Sequence, residues 1–131
     1  MYEFHGWFSL AESTREPNEG QIETAVAGMR PLLQQFEPHR SNADLRPLNG
    51  EYFLTVNGLL NREIDEARTL DELLSYLAEH LPGSWGLLYD RNDEWAEGDF
   101  VGEFRVRVLA RGVVTVRRDP FVSPWQPVIE D

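Results

Sequence analysis

Apolar and polar residues alternate over the first ten positions. Tyr2, Phe4, Phe8 and Leu10 fall on one side, and Glu3, His5, Trp7 and Ser9 on the other, the period of a half-buried strand. Gly6 sits among the inward set and leaves room for a bulky neighbour above it. The period then changes. Ile22, Ala25, Val26, Met29, Leu32, Leu33 and Phe36 recur at i, i+3, i+4 and i+7, which predicts an amphipathic helix. Asn18 is its expected cap, with Glu19 and Glu23 well placed for the helix dipole. Pro31 removes a backbone donor and is expected to kink the helix or break its second half.

Glu37 to Asn49 holds two prolines among mixed polar residues and reads as a loop. Glu51 to Val56 alternates again, and Asn57-Gly58 is expected to end or bend that strand. Thr69-Leu70-Asp71-Glu72 has the form of a capping box. Leu70, Leu73, Leu74, Leu77, Ala78 and Leu81 follow it as a helical stripe, stopped by Pro82-Gly83. Ser84 to Tyr89 reads as a short buried strand, and Asp90 to Asp99 as an acidic loop containing Trp95 and Gly98. In Phe104 to Ala110, Phe104, Val106, Val108 and Ala110 are expected inward and Arg105 and Arg107 outward. Arg111-Gly112 then turns the chain into Val113 to Arg117, a hairpin. The tail, 119–131, has three prolines, but its apolar residues (Phe121, Val122, Trp125, Val128, Ile129) predict that it packs on the domain.

The predicted order is β-α-β-α-β-β-β. It suits a two-layer α+β fold, a mainly antiparallel sheet of about five strands with both helices on one face. The other face would carry Glu3, His5, Trp7, Phe53, Thr55, Arg105 and Arg107.

The 131 residues suit one domain spanning 1–131. An apolar fraction of 41% with four Trp, four Tyr and seven Phe excludes a disordered chain. No apolar run approaches the ~18 residues of a membrane-spanning helix. The start, MYEFHGWFSL, lacks the basic and apolar parts of a secretory signal and is expected to be the true beginning of a cytoplasmic protein. The absence of cysteine removes disulfides, thiolate nucleophiles, zinc–thiolate sites and iron–sulfur clusters.

The net charge of −11 argues against nucleic acid and anionic membranes as partners and favours a basic one. It is unevenly spread. Glu63 to Glu103 hold twelve acids and two Arg, whereas Phe104 to Arg118 hold five Arg and no acid. Two opposite patches are therefore expected side by side.

Candidate chemistry is sparse. His5, His39 and His80 lie on three separate elements without metal-ligand spacing. Asp90 to Trp95 resembles a calcium loop only superficially, with Trp95 where glycine is needed and Val101 where the bidentate acid belongs. Gly83-Ser84-Trp85-Gly86 lacks the spacing of a nucleophile elbow. No cofactor or metal is expected. His5 beside Glu3 could form a general base with an orienting acid, although such a His is more often a half-exposed strand residue. The acidic stretch offers a sharper reading, a docking surface for a basic protein such as a nuclease. Its candidates are Glu63, Asp65, Glu66, Asp90, Asp93, Glu94, Glu97 and Asp99, with Trp95 either an aromatic anchor among them or folded inward over the core. Self-association through the exposed aromatic strand face is a third reading.

Several stretches together resemble the immunity protein 7 family of bacterial polymorphic toxin systems. They are Tyr2-Glu-Phe-His-Gly-Trp-Phe, Asn49-Gly-Glu-Tyr-Phe-Leu, Asn57-Gly-Leu-Leu-Asn, Leu81-Pro-Gly-Ser-Trp-Gly-Leu-Leu-Tyr, Phe104-Arg-Val-Arg-Val-Leu-Ala-Arg-Gly and Asp119-Pro-Phe-Val-Ser-Pro-Trp. They occur in order across nearly the whole chain. Pro31 and Arg107 depart from the pattern, the second standing where a larger apolar residue is expected. The resemblance implies a small cytoplasmic α+β protein without catalytic residues that binds a cognate toxin and blocks it.

Overall fold

The computed structural model describes residues 1–12, 21–61 and 65–121. Its elements are β1 (Tyr2–Leu10), α1 (Gln21–Leu33), β2 (Ser41–Leu48), β3 (Glu51–Leu60), α2 (Asp65–His80), β4 (Trp85–Asn92), β5 (Arg105–Ala110) and β6 (Val113–Arg118). The six strands form one antiparallel sheet in the order β2-β3-β1-β4-β5-β6. Both helices cover the same face. The fold is the expected α+β arrangement with one strand more.

The additional strand is β2, which replaces the expected loop. Asn49 and Gly50 have φ of 52° and 82°, the left-handed pair that closes a two-residue hairpin. This turn folds β2 back on β3. Pro47 is tolerated because β2 is an edge strand with a ladder on one side only. The second Asn-Gly pair, expected to end β3, lies inside it. Gly58 faces Ser41 and Phe4 across its two neighbours, and a Cβ there would come within 2.6 Å of the Phe4 ring. Gly6 plays the part expected of it, since an added Cβ would meet Leu88 and Val56 at 2.9 Å.

The core forms where the helices meet the inward rows of the sheet. Tyr2, Phe4, Phe8, Leu54, Val56, Leu60, Leu88 and Leu109 meet Met29, Phe36, Leu70, Leu73, Leu74 and Leu77 there, all buried. The α1 stripe therefore packs as its period requires. Pro31 does not end α1, which continues to Leu33; Phe36 completes the stripe from the turn that follows. The expected cap, Asn18 with Glu19, lies outside the described residues, as does most of the tail expected to pack on the domain. The helices touch where the Tyr76 hydroxyl donates to the Ala25 carbonyl at 2.6 Å, directly over Gly28.

The expected capping box does not cap. Thr69 lies one turn inside α2, with its hydroxyl 3.0 Å from the Asp65 carbonyl and 3.1 Å from Gln35 Oε1. Arg111 and Gly112, at φ of 53° and 73°, close the β5–β6 hairpin as predicted. After α2, Gly83 N–H donates to the Ala11 carbonyl at 3.1 Å and Ser84 Oγ accepts from Ala11 N–H at 3.0 Å, which ties the entry of β4 to the end of β1. Among the described residues, no helix is long and apolar enough to cross a membrane.

Filling the space under Phe4 should be costly, because that ring is fully buried. Gly58→Ala is expected to destabilise the protein by about 1–3 kcal/mol through overpacking. Urea unfolding followed by circular dichroism measures it.

Candidate functional site

Three of the sequence candidates lie on or next to the helix-covered side of the sheet. Asp90 is a strand residue, not a loop residue, because β4 continues to Asn92. It pairs with Phe4 and Arg105 and points toward the helices with them. Its carboxylate is wholly buried. Tyr2 Oη donates to Oδ2 at 2.6 Å. Arg105 grips both oxygens, with Nε 2.9 Å from Oδ1 and Nη2 2.5 Å from Oδ2. Arg107 Nη2 stands 3.3 Å from Oδ2, and its Nη1 pairs with Asp71 of α2. Arg107 Nε has no hydrogen-bond partner among the described residues.

This corrects the expected facing of β5. Arg105 and Arg107 do not face outward. The strand sits one residue out of step with the hydrophobic pattern, so Arg105, Arg107 and Leu109 face the helices and Val106, Val108 and Ala110 the open side. The apolar alternation was misleading because both faces of β5 are partly covered: Val106 and Leu109, on opposite faces, are both buried. Two of the five arginines expected as a basic patch are thus consumed inside, leaving Arg111, Arg117 and Arg118 exposed.

The environment favours the neutral form of Tyr2 and the charged form of Arg105. Burial raises the Tyr2 hydroxyl far above its ordinary value of 10.0, and the neighbouring Asp90 carboxylate, by its charge and hydrogen bond, pushes it the same way. Burial alone would lower Arg105, but the Asp90 hydrogen bonds and charge outweigh it and hold the guanidinium above its ordinary range.

Glu66, the second buried candidate, belongs to α2 and is also fully enclosed; Arg40 Nε donates to it at 2.9 Å. Burial removes Asp90 and Glu66 from any docking surface. Trp95 is folded inward, partly buried against the core with the Arg105 guanidinium 5.1 Å from its ring centroid. Glu63 lies outside the described residues. Asp65 is exposed and pairs with Arg68 at 3.2 Å.

Asp93, Glu94, Glu97 and Asp99 remain, all exposed in one loop. That loop is pinned. The Met1 amine bonds the Asp93 carboxylate at 2.7 Å, and Asp93 N–H donates to the Met1 carbonyl at 3.2 Å. Glu94 N–H donates to Asn92 Oδ1 at 2.9 Å, and Arg118 Nη2 donates to the Asp99 carbonyl at 3.3 Å. Glu94 and Glu97 form no ion pair among the described residues.

The open face differs in kind. Glu3, His5, Trp7, Phe53 and Thr55 lie on it as expected. In successive rows it carries Phe53, Ser9, Trp85, Ala110 and Val113, then Thr55, Trp7, Leu87, Val108 and Thr115. None of these ionises. Trp7 is 45% and Trp85 58% exposed. The Trp7 ring stacks on Tyr89 with 6.1 Å between centroids, and Phe104 meets the Tyr89 edge at 5.9 Å.

His5 stands half exposed beside an open depression shared with His39, Asn42 and Asn57. Its Nε2 lies 2.6 Å from Glu3 Oε2, and Arg91 Nε donates to Glu3 Oε1 at 2.7 Å. Burial would raise the Glu3 carboxyl, but the His5 and Arg91 hydrogen bonds bring it below its ordinary value. Both its oxygens are engaged, an arrangement suited to an ion pair along the strand. Among the described residues, no group of His, Asp and Glu is arranged to hold a metal ion.

Removing the Asp90 carboxylate would leave the Arg105 guanidinium without its counter-ion and Arg107 with Asp71 alone. Asp90→Ala is therefore expected to cost about 3 kcal/mol or more, and Asp90→Asn less, in urea unfolding at neutral pH. Tyr2 adds an alkaline dependence. Its hydroxyl is raised in the folded state, so its stabilisation is complete below pH 10.0 and is lost as pH climbs beyond that value. Tyr2→Phe should flatten this alkaline decline in a series of melting curves.

Comparison with curated proteins and with solved structures returns no match. The family model of Immunity protein 7 matches residues 1–131. Sheet, helices and the ordered sequence stretches all fall within that match, and the chain belongs to the Immunity protein 7 family.

Proposed function

We propose that this immunity protein binds and neutralises a cognate bacterial toxin domain, without catalysis, through the exposed carboxylates of the loop after β4. The observation that carries this reading is the pinning of that loop by the Met1 amine, Arg118 and the inward-folded Trp95. A loop held in one shape loses little conformational entropy when it docks. Asp93, Glu94, Glu97 and Asp99 then present a fixed anionic edge, with Asp65 and Asp71 exposed on α2.

The partner suited to this edge is a basic domain, such as a nuclease whose active site expects phosphates. Opposite fields would raise its association rate above the ~10⁵–10⁶ M⁻¹s⁻¹ of uncharged surfaces. Capture would take place in the cytoplasm of the producing cell or its siblings, as part of a polymorphic toxin system. Trp95 serves here by fixing the loop from inside.

The double reversal Glu94→Arg/Glu97→Arg is expected to slow association with the toxin domain about tenfold at low salt and to flatten its salt dependence. Stopped-flow mixing with the domain encoded by the neighbouring toxin gene measures both. Unchanged kinetics would reject the loop as the docking edge.

A further inference from the structure

We propose that the open face of the sheet docks a second copy of this chain, forming a two-fold dimer independent of the toxin-binding edge. The six strands carry three to five outward positions each, about 700 Å² of sheet at ordinary spacings, of which Ser9 and Val106 are already covered. That is within the range each partner contributes to a standard interface, ~600–1,000 Å². The chain carries a charge of −11, yet the two rows through Trp85 and Trp7 are uncharged from β3 to β6, and on β2 they end in Arg46 and Asp44, which pair with each other at 2.7 Å. A basic toxin gains nothing electrostatically from such a surface. A second acidic chain can approach where charge is absent, paired or opposite to its own, and this face meets that condition, its exposed Arg117 beside Val106 being a cation.

The register supplies the complementarity. β1 and β4 are the middle strands of the six. A two-fold axis running between them along the strands lays β1 over β4 of the second copy, β3 over its β5, and β2 over its β6. Residues of one row then face the same row. In the Trp85 row, Trp85 meets Ser9 of the second copy and Phe53 its Ala110, large against small, while in the next row Trp7 lies over Leu87, two apolar side chains. Ser9 lines an open depression of about 520 Å³ at the end of the strands, between Phe53 and Trp85 and rimmed by Glu12 and Glu51, with room for that indole. One row pair beyond, Glu3 faces Arg91 of the second copy, and no like charges meet along these rows. Sheets packed this way normally cross at about −30°. Trp7, already stacked on Tyr89, has little rotamer freedom left to lose on contact.

Sedimentation equilibrium of the full chain tests this. The expected result is twice the 15.1 kDa monomer mass, with association strengthened by salt, because only the distant net charges repel. Toxin capture, by contrast, weakens with salt, so failure of one reading is separable from failure of the other. Trp85→Glu should raise the dimer dissociation constant roughly 100-fold or more, whereas Trp85→Phe should keep the dimer. The chain lacks cysteine, so Thr55→Cys mixed with Val108→Cys should be joined by a short bis-maleimide, and Thr55→Cys alone should not. A monomer at every concentration overturns the proposal. If Trp85→Glu then weakens toxin capture, the face belongs to the toxin; if it lowers the melting temperature, to another segment of the same chain. A dimer indifferent to Trp85→Glu overturns the proposal equally.

Discussion

A carboxylate with no access to water persists only if cations and donors surround it, because desolvating an ion costs several kcal/mol that only close partners return. Asp90 is such a group, and its partners come from two other strands. Tyr2 reaches it from β1, Arg105 and Arg107 from β5, and Arg107 extends the chain of charges to Asp71 on α2. Strand order, the facing of β5 and the seating of α2 all have to be correct before this carboxylate is neutralised. An apolar contact tolerates a small slip of register. A bidentate guanidinium–carboxylate pair does not.

The same cluster shapes the surface. Because Arg105 turns inward, it meets the Trp95 ring and draws the loop after β4 onto the domain. The acids of that loop are then held at its outer edge, with two of their positive neighbours in sequence, Arg105 and Arg107, turned inside. Opposite charges adjacent along the chain are separated by the sheet: some arginines neutralise the interior while the carboxylates stay in solvent. The anionic edge is thus partly a product of where the cations went.

The two sides of the sheet consequently differ in the partners they suit. The rim of the loop carries Glu94 and Glu97 without an ion pair among the described residues, and their charge acts over a distance comparable with the Debye length, about 10 Å at ordinary salt. The open face has aromatic and aliphatic side chains at its centre, and most of its ionic groups, Glu3, His5 and Arg91 and also Asp44 and Arg46, pair along and across the strands. One surface is suited to steering an oppositely charged domain and the other to close, shape-dependent contact. Membership of the Immunity protein 7 family accords with a molecule organised around surfaces.

Periodicity made β1 and both helices legible, because each buries one side and repeats every 2 or 3.6 residues, and the Arg111-Gly112 turn made the β5–β6 hairpin legible. The acidic loop from Asp93 to Asp99 was also readable, from charge density alone. Other features depended on contacts between residues distant in sequence. The chain contains two Asn-Gly pairs, and local rules treat them alike; Asn49-Gly50 becomes a turn, while Gly58 stays in a strand because Phe4 needs its space. The facing of β5 was misread because alternation marks two faces without saying which is covered when both carry apolar residues. Asp90 and Glu66 looked like surface charges, since burial of an acid depends on whether an arginine far along the chain arrives beside it. Local composition specifies elements; the inside or outside of an ion is decided only when the sheet closes around it.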